Sequence, residues 1–591
     1  MKYNKKLNNI EEGSLKNAST KKKISFFTAI LVVIGSCIGS GIFFKSGSVL
    51  SSVQGSIVMA MFCWLFASFG VICMALALVE ITSVRNDNLS IIGWTKTFNG
   101  RIVYKSCKNF ITFIFAPLKY FFLPLYCIQA FQDGVAALYI NSGQPYNGFG
   151  TNADWAIIMA ISIGISVYFI VANGISARMG GIHSYIISFV KFIPLSIAAV
   201  VGFLIFAMNN GNIVGNYDVG FIPNDTILAE HTFKTLTPGF GLFIGCIGIF
   251  YAYDGFYTAA GIKSELKEPK KIPTIILVGL SITTCIYLII AVSMSLGSNG
   301  GNPQGLVQWF AKHNILPLFS VFEILIGVSV LSVINGMALW SPRFIEDLIK
   351  DGEIPFSVKL VTKINGEKRY VGLLYIMSLA IPLNVILSIL GGLVYINTVD
   401  ISGVFFANST DLSNILGNNF NFSEAFGNDY INGKIIYHYG TGVGGLYTFC
   451  DLISNWSALF VFSFIILAIV GGLKNRKTKK VKTNNFKYFK PFAILAILLI
   501  SSCLIMGILE PIANLFLMFN LNSDEYSGYT NLLISRIMVV ILLFIYLSIM
   551  LLPTLISDTY KKHKFGSIQN GELYKINQIR NQLNLKPLKN I

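Results

Sequence analysis

The chain has 591 residues, of which 54% are hydrophobic and only 12% are charged. That charged share is about half of the share in an ordinary soluble domain, and a soluble fold cannot bury so much apolar surface. The composition excludes a soluble enzyme, a secreted disulfide scaffold and a disordered protein, and predicts an all-α polytopic membrane protein. The formal net charge of +17 then indicates basic cytoplasmic loops rather than nucleic acid binding.

About twelve apolar runs are long enough to cross a bilayer, which takes about 20 residues per helix. In chain order we predict transmembrane helices at 26–50, 55–81, 109–139, 154–173, 182–208, 239–261, 273–297, 315–345, 371–394, 447–473, 491–509 and 529–556.

The basic residues orient these helices. With the amino terminus inside, the outer segments hold only Lys45, Lys234, Lys312 and Lys434, and Lys119, Lys191 and Arg536 fall within helices. All other Lys and Arg residues lie on the inner side, as the positive-inside rule requires. We therefore expect a multi-pass protein of the cell membrane with both termini, the basic tails 1–25 and 557–591, in the cytoplasm. The polar segment 395–446 is predicted outside, either as a solvated loop or as a small ordered cap.

The sequence predicts no metal, no cofactor and no enzymatic activity. Its nine cysteines form no CxxC pair, its five histidines are scattered, and no P-loop or HExxH motif is present. The first apolar run follows a long Lys-rich leader and is too long for a signal peptide.

Glycine clusters interrupt two of the predicted helices. The first span reads GSCIGSGIFF over 35–44, and the sixth reads GCIGIFYAYDGF over 245–256. A lone pair of this kind favours close helix packing. Here the clusters occupy corresponding positions if helices 1–5 and 6–10 form an inverted repeat, and paired interruptions indicate a transporter's binding site. Asp254 supports this interpretation, because a charge within a span must face a cavity or a partner.

Unwound backbone at these positions would bind a zwitterion. Free N–H groups near Gly39, Ser40 and Gly41 stand at a helix N-terminus, where a carboxylate is favoured. Free carbonyls near Cys37 and Ile38 in the first span, and near Tyr251 and Asp254 in the sixth, suit an ammonium group. An α-amino acid carries both groups.

These motifs resemble the amino acid permeases of the amino acid–polyamine–organocation superfamily. The resemblance rests on the first glycine cluster and on FYAYDGFYTAAGIKSELKEPKKIP over 250–273, with Glu265, Lys267, Pro269 and Pro273. It extends to Glu80, to VKFIPLSIAAVVGF around Lys191, and to NGMALWSPRFIEDLIKDGEIP over 335–355. The resemblance covers roughly 25–390 and resumes near 447.

The resemblance implies a LeuT-like fold of two inverted five-helix repeats, 26–208 and 239–473, followed by two helices within 491–556, with helices 1 and 6 broken. It implies a substrate site of backbone and side-chain groups, at Cys37, Ile38, Gly39, Ser40, Gly41, Tyr251, Asp254 and Gly255. Tyr251 takes the place of an aromatic gate.

Lys191 has two interpretations. In some proton-coupled relatives a lysine here stands where sodium-coupled relatives hold a cation, so Lys191 is the candidate ion-coupling residue, acting by its fixed charge or by cycling a proton. Alternatively it is a structural lysine bonded to carbonyls of helix 1.

The predicted function is secondary active transport of L-amino acids by alternating access, with a proton as the coupling ion. An amino acid exchanger, a polyamine or cationic amino acid carrier and a non-transporting receptor are the alternatives. The expected partners are a small amino acid and the lipid bilayer; the oligomeric state is left open.

Overall fold

The computed structural model describes most of the chain. The described residues are 25–84, 89–144, 146–176, 183, 190–214, 232–236, 238–257, 271–364, 368–396, 437–520 and 529–588. Predictions for the tail 1–24, for most of the insertion 395–446 and for Glu265, Lys267 and Pro269 lie outside these residues.

The described residues are almost entirely helical, as predicted. The helices of the first half are α1 (Phe26–Cys37), α2 (Gly41–Ser52), α3 (Ile57–Ile81), α4 (Ser90–Phe98), α5 (Arg101–Asn141, with a π-helical turn at Ile111–Phe115), α6 (Asp154–Ile175) and α7 (Phe192–Met208). The later helices are α8 (Phe233–Leu236), α9 (Pro238–Ala252), α10 (Ile272–Gly297), α11 (Val307–Lys312), α12 (Leu316–Lys350), α13 (Ser357–Leu360), α14 (Tyr370–Val394, with a π-helical end at Leu390–Val394), α15 (Val443–Thr478), α16 (Phe489–Leu517), α17 (Tyr529–Phe565) and α18 (Ile568–Gln582). Short 3₁₀ turns lie at Thr82–Val84, Pro303–Leu306, Val361–Lys363 and Met518–Asn520.

Nine of the helices in the described part of the chain are long and apolar enough to cross a membrane. The pair α1 and α2, bent by 54°, makes a tenth if it is one span, and α7 and α9 are apolar but shorter. The protein is therefore a multi-pass membrane protein. Twelve crossings stay a prediction.

Helices are what the bilayer demands, because each backbone polar group must be paired within its own segment there. Side-chain caps mark two of their starts. The Ser25 hydroxyl accepts from the Thr28 N–H at 3.3 Å before α1, and Ser56 does the same for Met59 at 3.2 Å before α3. Large apolar side chains on the outer helices stay exposed, among them Leu374, Leu498 and Phe544, which is where lipid chains would contact them.

One enclosed helix organises the core. Helix α5 is almost wholly buried and packs along α12, with α14 and α17 also against it. Helix α9 packs against α2, α3 and α15, while α10 lies against α1, α3 and α7. The two glycine clusters therefore meet inside the helix bundle.

A small parallel bridge joins two connecting segments. Strand β1 (Tyr146–Asn147) pairs with β2 (Tyr437–His438). Just after it, Tyr439 is buried and its hydroxyl donates to Asp133 on α5 at 2.8 Å. The end of the insertion that precedes α15 is thus packed on the helix bundle.

Candidate functional site

Helix α1 ends within the first glycine cluster, at Cys37, and α2 begins four residues later, at Gly41. Between Cys37 and Gly41 the chain turns through 54°. The N–H groups of Gly39, Ser40 and Gly41 donate no backbone hydrogen bond in the part of the chain that the structure describes. In a continuous helix each N–H bonds the carbonyl four residues earlier. The turn therefore leaves donors at the start of α2 and acceptors at the end of α1.

Helix α9 ends within the second cluster. The regular helix stops at Ala252, and Tyr253 to Gly255 form a turn in which Gly255 has φ +113°. This conformation suits only glycine among ordinary residues. A Cβ at Gly255 would also lie 2.5 Å from the Ser36 carbonyl oxygen. Gly255 thus lets the turn after α9 touch the end of α1.

The Tyr287 hydroxyl joins the two helix ends. It lies on α10, is fully buried, and is 2.9 Å from both the Cys37 and Ala252 carbonyl oxygens. In continuous helices these carbonyls would accept from Gly41 and Phe256. A phenol has one proton to donate, so two acceptors share it. The Cys37 carbonyl oxygen therefore accepts from Tyr287, a residue that sequence reasoning missed, and its binding of a substrate stays a prediction.

Lys191 bonds a carbonyl at the end of α1. Its Nζ donates to the Gly35 oxygen at 2.9 Å, the acceptor that Gly39 would use in a continuous helix. Lys191 is 8% exposed and precedes α7. The ammonium group stands over the C-terminal end of a helix, where the backbone dipole favours a cation.

The start of α2 lies directly against the end of α9. A Cβ at Gly41 would be 2.4 Å from the Cα of Ala252. Beside this contact, the hydroxyls of Ser40 and Tyr251 are hydrogen-bonded at 2.8 Å, and both residues are buried. The structure thus brings the two predicted clusters together and places Tyr251 across their junction.

The position of Lys45 differs from the sequence-based expectation. We expected it in an outer segment, but it is fully buried on α2, where it forms an ion pair with Asp451 and donates to Ser454 at 2.7 Å. Its ammonium group is 4.8 Å from the Tyr251 ring centroid, within cation–π range. Its position one turn after Gly41 was the signal: a lysine there must either leave the apolar run or find a buried partner.

Asp254 is paired with Lys119. The two side chains form an ion pair between the turn after α9 and α5, each less than a tenth exposed. The Lys119 ammonium is 5.6 Å from the Tyr251 centroid. Lys119, which the sequence places within a predicted helix, thus finds its partner at the end of the second glycine cluster. The Tyr251 ring therefore lies near two ion-paired lysines, Lys45 on α2 and Lys119 on α5.

The described helices and this buried junction define a multi-pass membrane protein with polar groups gathered where helix ends meet. The chain belongs to the amino acid permease family, whose family model matches residues 24–544. Members of this family are transporters and not enzymes, so the chain is an amino acid transporter.

The chain is also similar to individual proteins. The chain is 39% identical to an uncharacterised protein of Mycoplasma pneumoniae, over 94% of this chain and 97% of that protein. It is 25% identical to the serine/threonine exchanger SteT of Bacillus subtilis, over 58% of this chain and 71% of that protein. The crystal structure of MhsT in complex with L-phenylalanine aligns at 13% identity with a TM-score of 0.45, over 83% of this chain and 98% of that chain.

Proposed function

We propose that this protein moves L-amino acids across the cell membrane by alternating access and couples their movement to a proton. The observation that carries the proposal is the meeting of the start of α2 with the ends of α1 and α9. Unpaired N–H donors and helix-end carbonyls lie together there, as an α-amino acid requires.

In this proposal the substrate carboxylate binds the N–H groups at Ser40 and Gly41, at the positive end of α2. The ammonium group binds the carbonyls of Cys37, Tyr251 and Asp254, with Ile38, Gly39 and Gly255 shaping the backbone around it. It displaces the Tyr287 proton from the Cys37 oxygen, since an ammonium group offers three donors to the same acceptors.

Tyr251 acts as the gate. Its hydrogen bond to Ser40 lies across the junction, so a carboxylate can reach the Ser40 amide only when the Tyr251 side chain moves. Opening would exchange this bond for bonds to substrate, and closing would restore it. Movement of Tyr251 thus links binding of the substrate to the opening and closing of the site.

The paired charges favour a neutral amino acid. Asp254 already has Lys119, and Asp451 already has Lys45, so neither carboxylate is left to select a cationic side chain. Binding a cationic substrate would require breaking one of these pairs, and an uncompensated buried charge is costly.

Lys191 supplies a fixed cation in this scheme. Its hydrogen bond to Gly35 holds the end of α1 in place and neutralises helix-end carbonyl charge. A movement of α1 during transport would have to carry or break this bond.

Exchange of one amino acid for another is the second candidate, favoured by the likeness to the serine/threonine exchanger. Purified protein in proteoliposomes separates the two. We expect a labelled neutral amino acid to accumulate in vesicles that contain no amino acid when the outside is more acidic than the inside. Uptake only into preloaded vesicles would establish exchange, and binding without uptake in either case would contradict transport. A competition panel of the twenty amino acids then identifies the substrate.

A further inference from the structure

We propose that Glu323 is the proton-carrying group of this transporter, working beside Asp133 at a site separate from the amino acid junction. This inference rests on the proposed function and adds the residue that carries the proton.

Glu323 is a buried carboxyl group to which the described part of the chain offers no hydrogen-bond partner. It lies on α12, is 0% exposed, and neither of its carboxyl oxygens has a hydrogen-bond partner within the described part of the chain. It faces α5, where a Cβ built on Gly134 would be 3.6 Å from the Glu323 Cβ. Two other buried glutamates differ, because Glu80 and Glu346 each form an ion pair with an arginine.

Glu323 packs against the part of α5 that carries a second acidic residue. Asp133 directly precedes Gly134, the residue whose Cβ would lie 3.6 Å from the Glu323 Cβ. Two tyrosine hydroxyls donate to this part of α5, Tyr439 to Asp133 at 2.8 Å and Tyr447 to Gln132 at 2.7 Å. An isolated buried carboxylate is too costly to persist and takes up a proton instead, and a neighbouring carboxylate strengthens that preference.

A proton fits this site better than a metal cation. The described residues contain no group of three or more His, Cys, Asp or Glu side chains that could hold a metal ion. A sodium ion would need several oxygen ligands, and the two carboxyl oxygens of Glu323 are too few by themselves. One proton satisfies the carboxyl group by itself.

Helices α5 and α15 both run from this site to the amino acid junction. Asp133 is two helical turns from Tyr126 on α5, about 10 Å along the axis, and the Tyr126 hydroxyl bonds Asp451 at 3.0 Å. Tyr447 and Asp451 are four residues apart on α15 and share a face, and Asp451 holds Lys45 beside Tyr251.

The cycle follows from this placement. With its proton, Glu323 is neutral and α5 and α12 stay packed as observed. When water reaches the site from the opposite side of the membrane, the O–H bond breaks, the proton leaves to that water, and the carboxylate is solvated. Reprotonation from the first side restores the packed state, so each cycle carries one proton.

The test compares coupling with transport itself in proteoliposomes. For one proton per substrate, a gradient of about one pH unit supports about tenfold accumulation. We expect Glu323→Gln to lower this accumulation ratio to about one, while counterflow between two amino acid pools continues. Glu323→Asp, which can still bind a proton, should keep accumulation. Glu346→Gln, which removes a buried carboxyl paired with Arg369, is the matched control: it should keep the accumulation ratio of the wild type even if less of the protein folds.

Three results would overturn the assignment of the proton to Glu323. They are accumulation by Glu323→Gln equal to that of the wild type, an equal loss of accumulation in Glu346→Gln, and accumulation driven by a sodium gradient and not by a pH gradient. Wild-type counterflow without any proton uptake would also overturn it but would leave amino acid transport standing. Absence of counterflow in the wild type would instead refute the proposed function.

A second measurement does not depend on the Gln variant folding. Infrared difference spectra of the wild-type protein should show a protonated carboxyl band at neutral pH that shifts in Glu323→Asp. A wild-type spectrum with this band absent, or a band that stays unshifted in Glu323→Asp, contradicts the proposal.

Discussion

Lys119 on α5 and Asp254 in the turn after α9 form a buried ion pair, although 135 residues separate them in the chain. The pair fixes the end of α9 to the central helix at the point where regular helix gives way to the Gly255 turn. A charged group in this position was expected from the sequence to face a cavity or a partner, and the partner is a second charge.

Substituting one partner of this ion pair should destabilise the protein far more than substituting both partners. We expect Asp254→Asn to lower the free energy of unfolding by about 3–5 kcal/mol, because the Lys119 charge stays buried without compensation. The double variant Lys119→Gln with Asp254→Asn should recover most of that loss. Thermal unfolding in detergent measures both. Equal destabilisation in the single and double variants would show that the pair is not what holds this turn.

The Tyr287 hydroxyl should matter more than an ordinary buried hydroxyl. Tyr287→Phe leaves the Cys37 and Ala252 carbonyls with one donor fewer, at a cost of about 1–3 kcal/mol, and should alter KM for the amino acid. Tyr120→Phe is the matched control, since the Tyr120 hydroxyl bonds Ser341 at 2.7 Å away from this junction. A similar KM change in both variants would mean that the effect is general to the bundle.

Gly41 should not tolerate a methyl group. Gly41→Ala places a Cβ at 2.4 Å from the Ala252 Cα, so α2 and α9 must separate, and overpacking of this kind typically costs about 1–3 kcal/mol. We expect reduced substrate binding and a lower unfolding temperature. Gly336→Ala on α12, where a Cβ meets nothing within 4 Å, should behave like the wild type in binding and thermal assays.

Lys191 should be required as a cation rather than as a proton carrier. We expect Lys191→Met to lower uptake by about tenfold or more, the factor that corresponds to losing a charge-assisted hydrogen bond of about 1.5–3 kcal/mol. Residual uptake should keep its dependence on the pH gradient. Unchanged uptake in Lys191→Met would remove the residue from the transport machinery, and loss of the pH dependence alone would assign it the proton.

The carboxyl-terminal helix should detach in acid. Burial disfavours the charged form of Glu353, after α12, but Lys105, Lys96 and Lys108 outweigh burial and hold its pKa at about 2. Its ion pair with Lys105, at 2.5 Å, adjoins α18, whose Glu572 bonds Arg101 at 2.7 Å.

The sign of the pH effect follows from this shift. The pKa of Glu353 in the folded protein is below the value of about 4.3 for a free glutamate, so its stabilisation is complete above that pH. It is lost as the pH falls from there towards about 2. Hydrogen exchange of Ile568–Gln582, corrected for the intrinsic rate, should rise over this interval. In Glu353→Gln it should already be raised at neutral pH and should change less on acidification; a wild-type response in that variant would assign the effect to other groups.

The sequence by itself determined where the helices and their glycine-rich ends lie. Apolar runs of about 20 residues can only be helices in a bilayer, and each predicted run overlaps a described helix. Several of these helices extend beyond the predicted bounds, as α5, α15 and α17 do, and the short helices α4, α11, α13 and α18 lie outside the predicted runs. The ends at Cys37 and Ala252 fall within the clusters recognised from glycine spacing and from Asp254. These features are local, because a helix satisfies its own backbone bonds within a few residues of chain.

Only the tertiary structure decided which buried groups meet. Lys45 finds Asp451 across 406 residues of chain, Tyr287 reaches two helix ends from a third helix, and Lys119 pairs with Asp254 while Glu323 stays apart. The physical reason is that a partner is chosen by how each helix is rotated and shifted against its neighbours. In a bundle that rotation and shift follow from the packing of whole surfaces, which a single sequence pattern does not encode at any one residue.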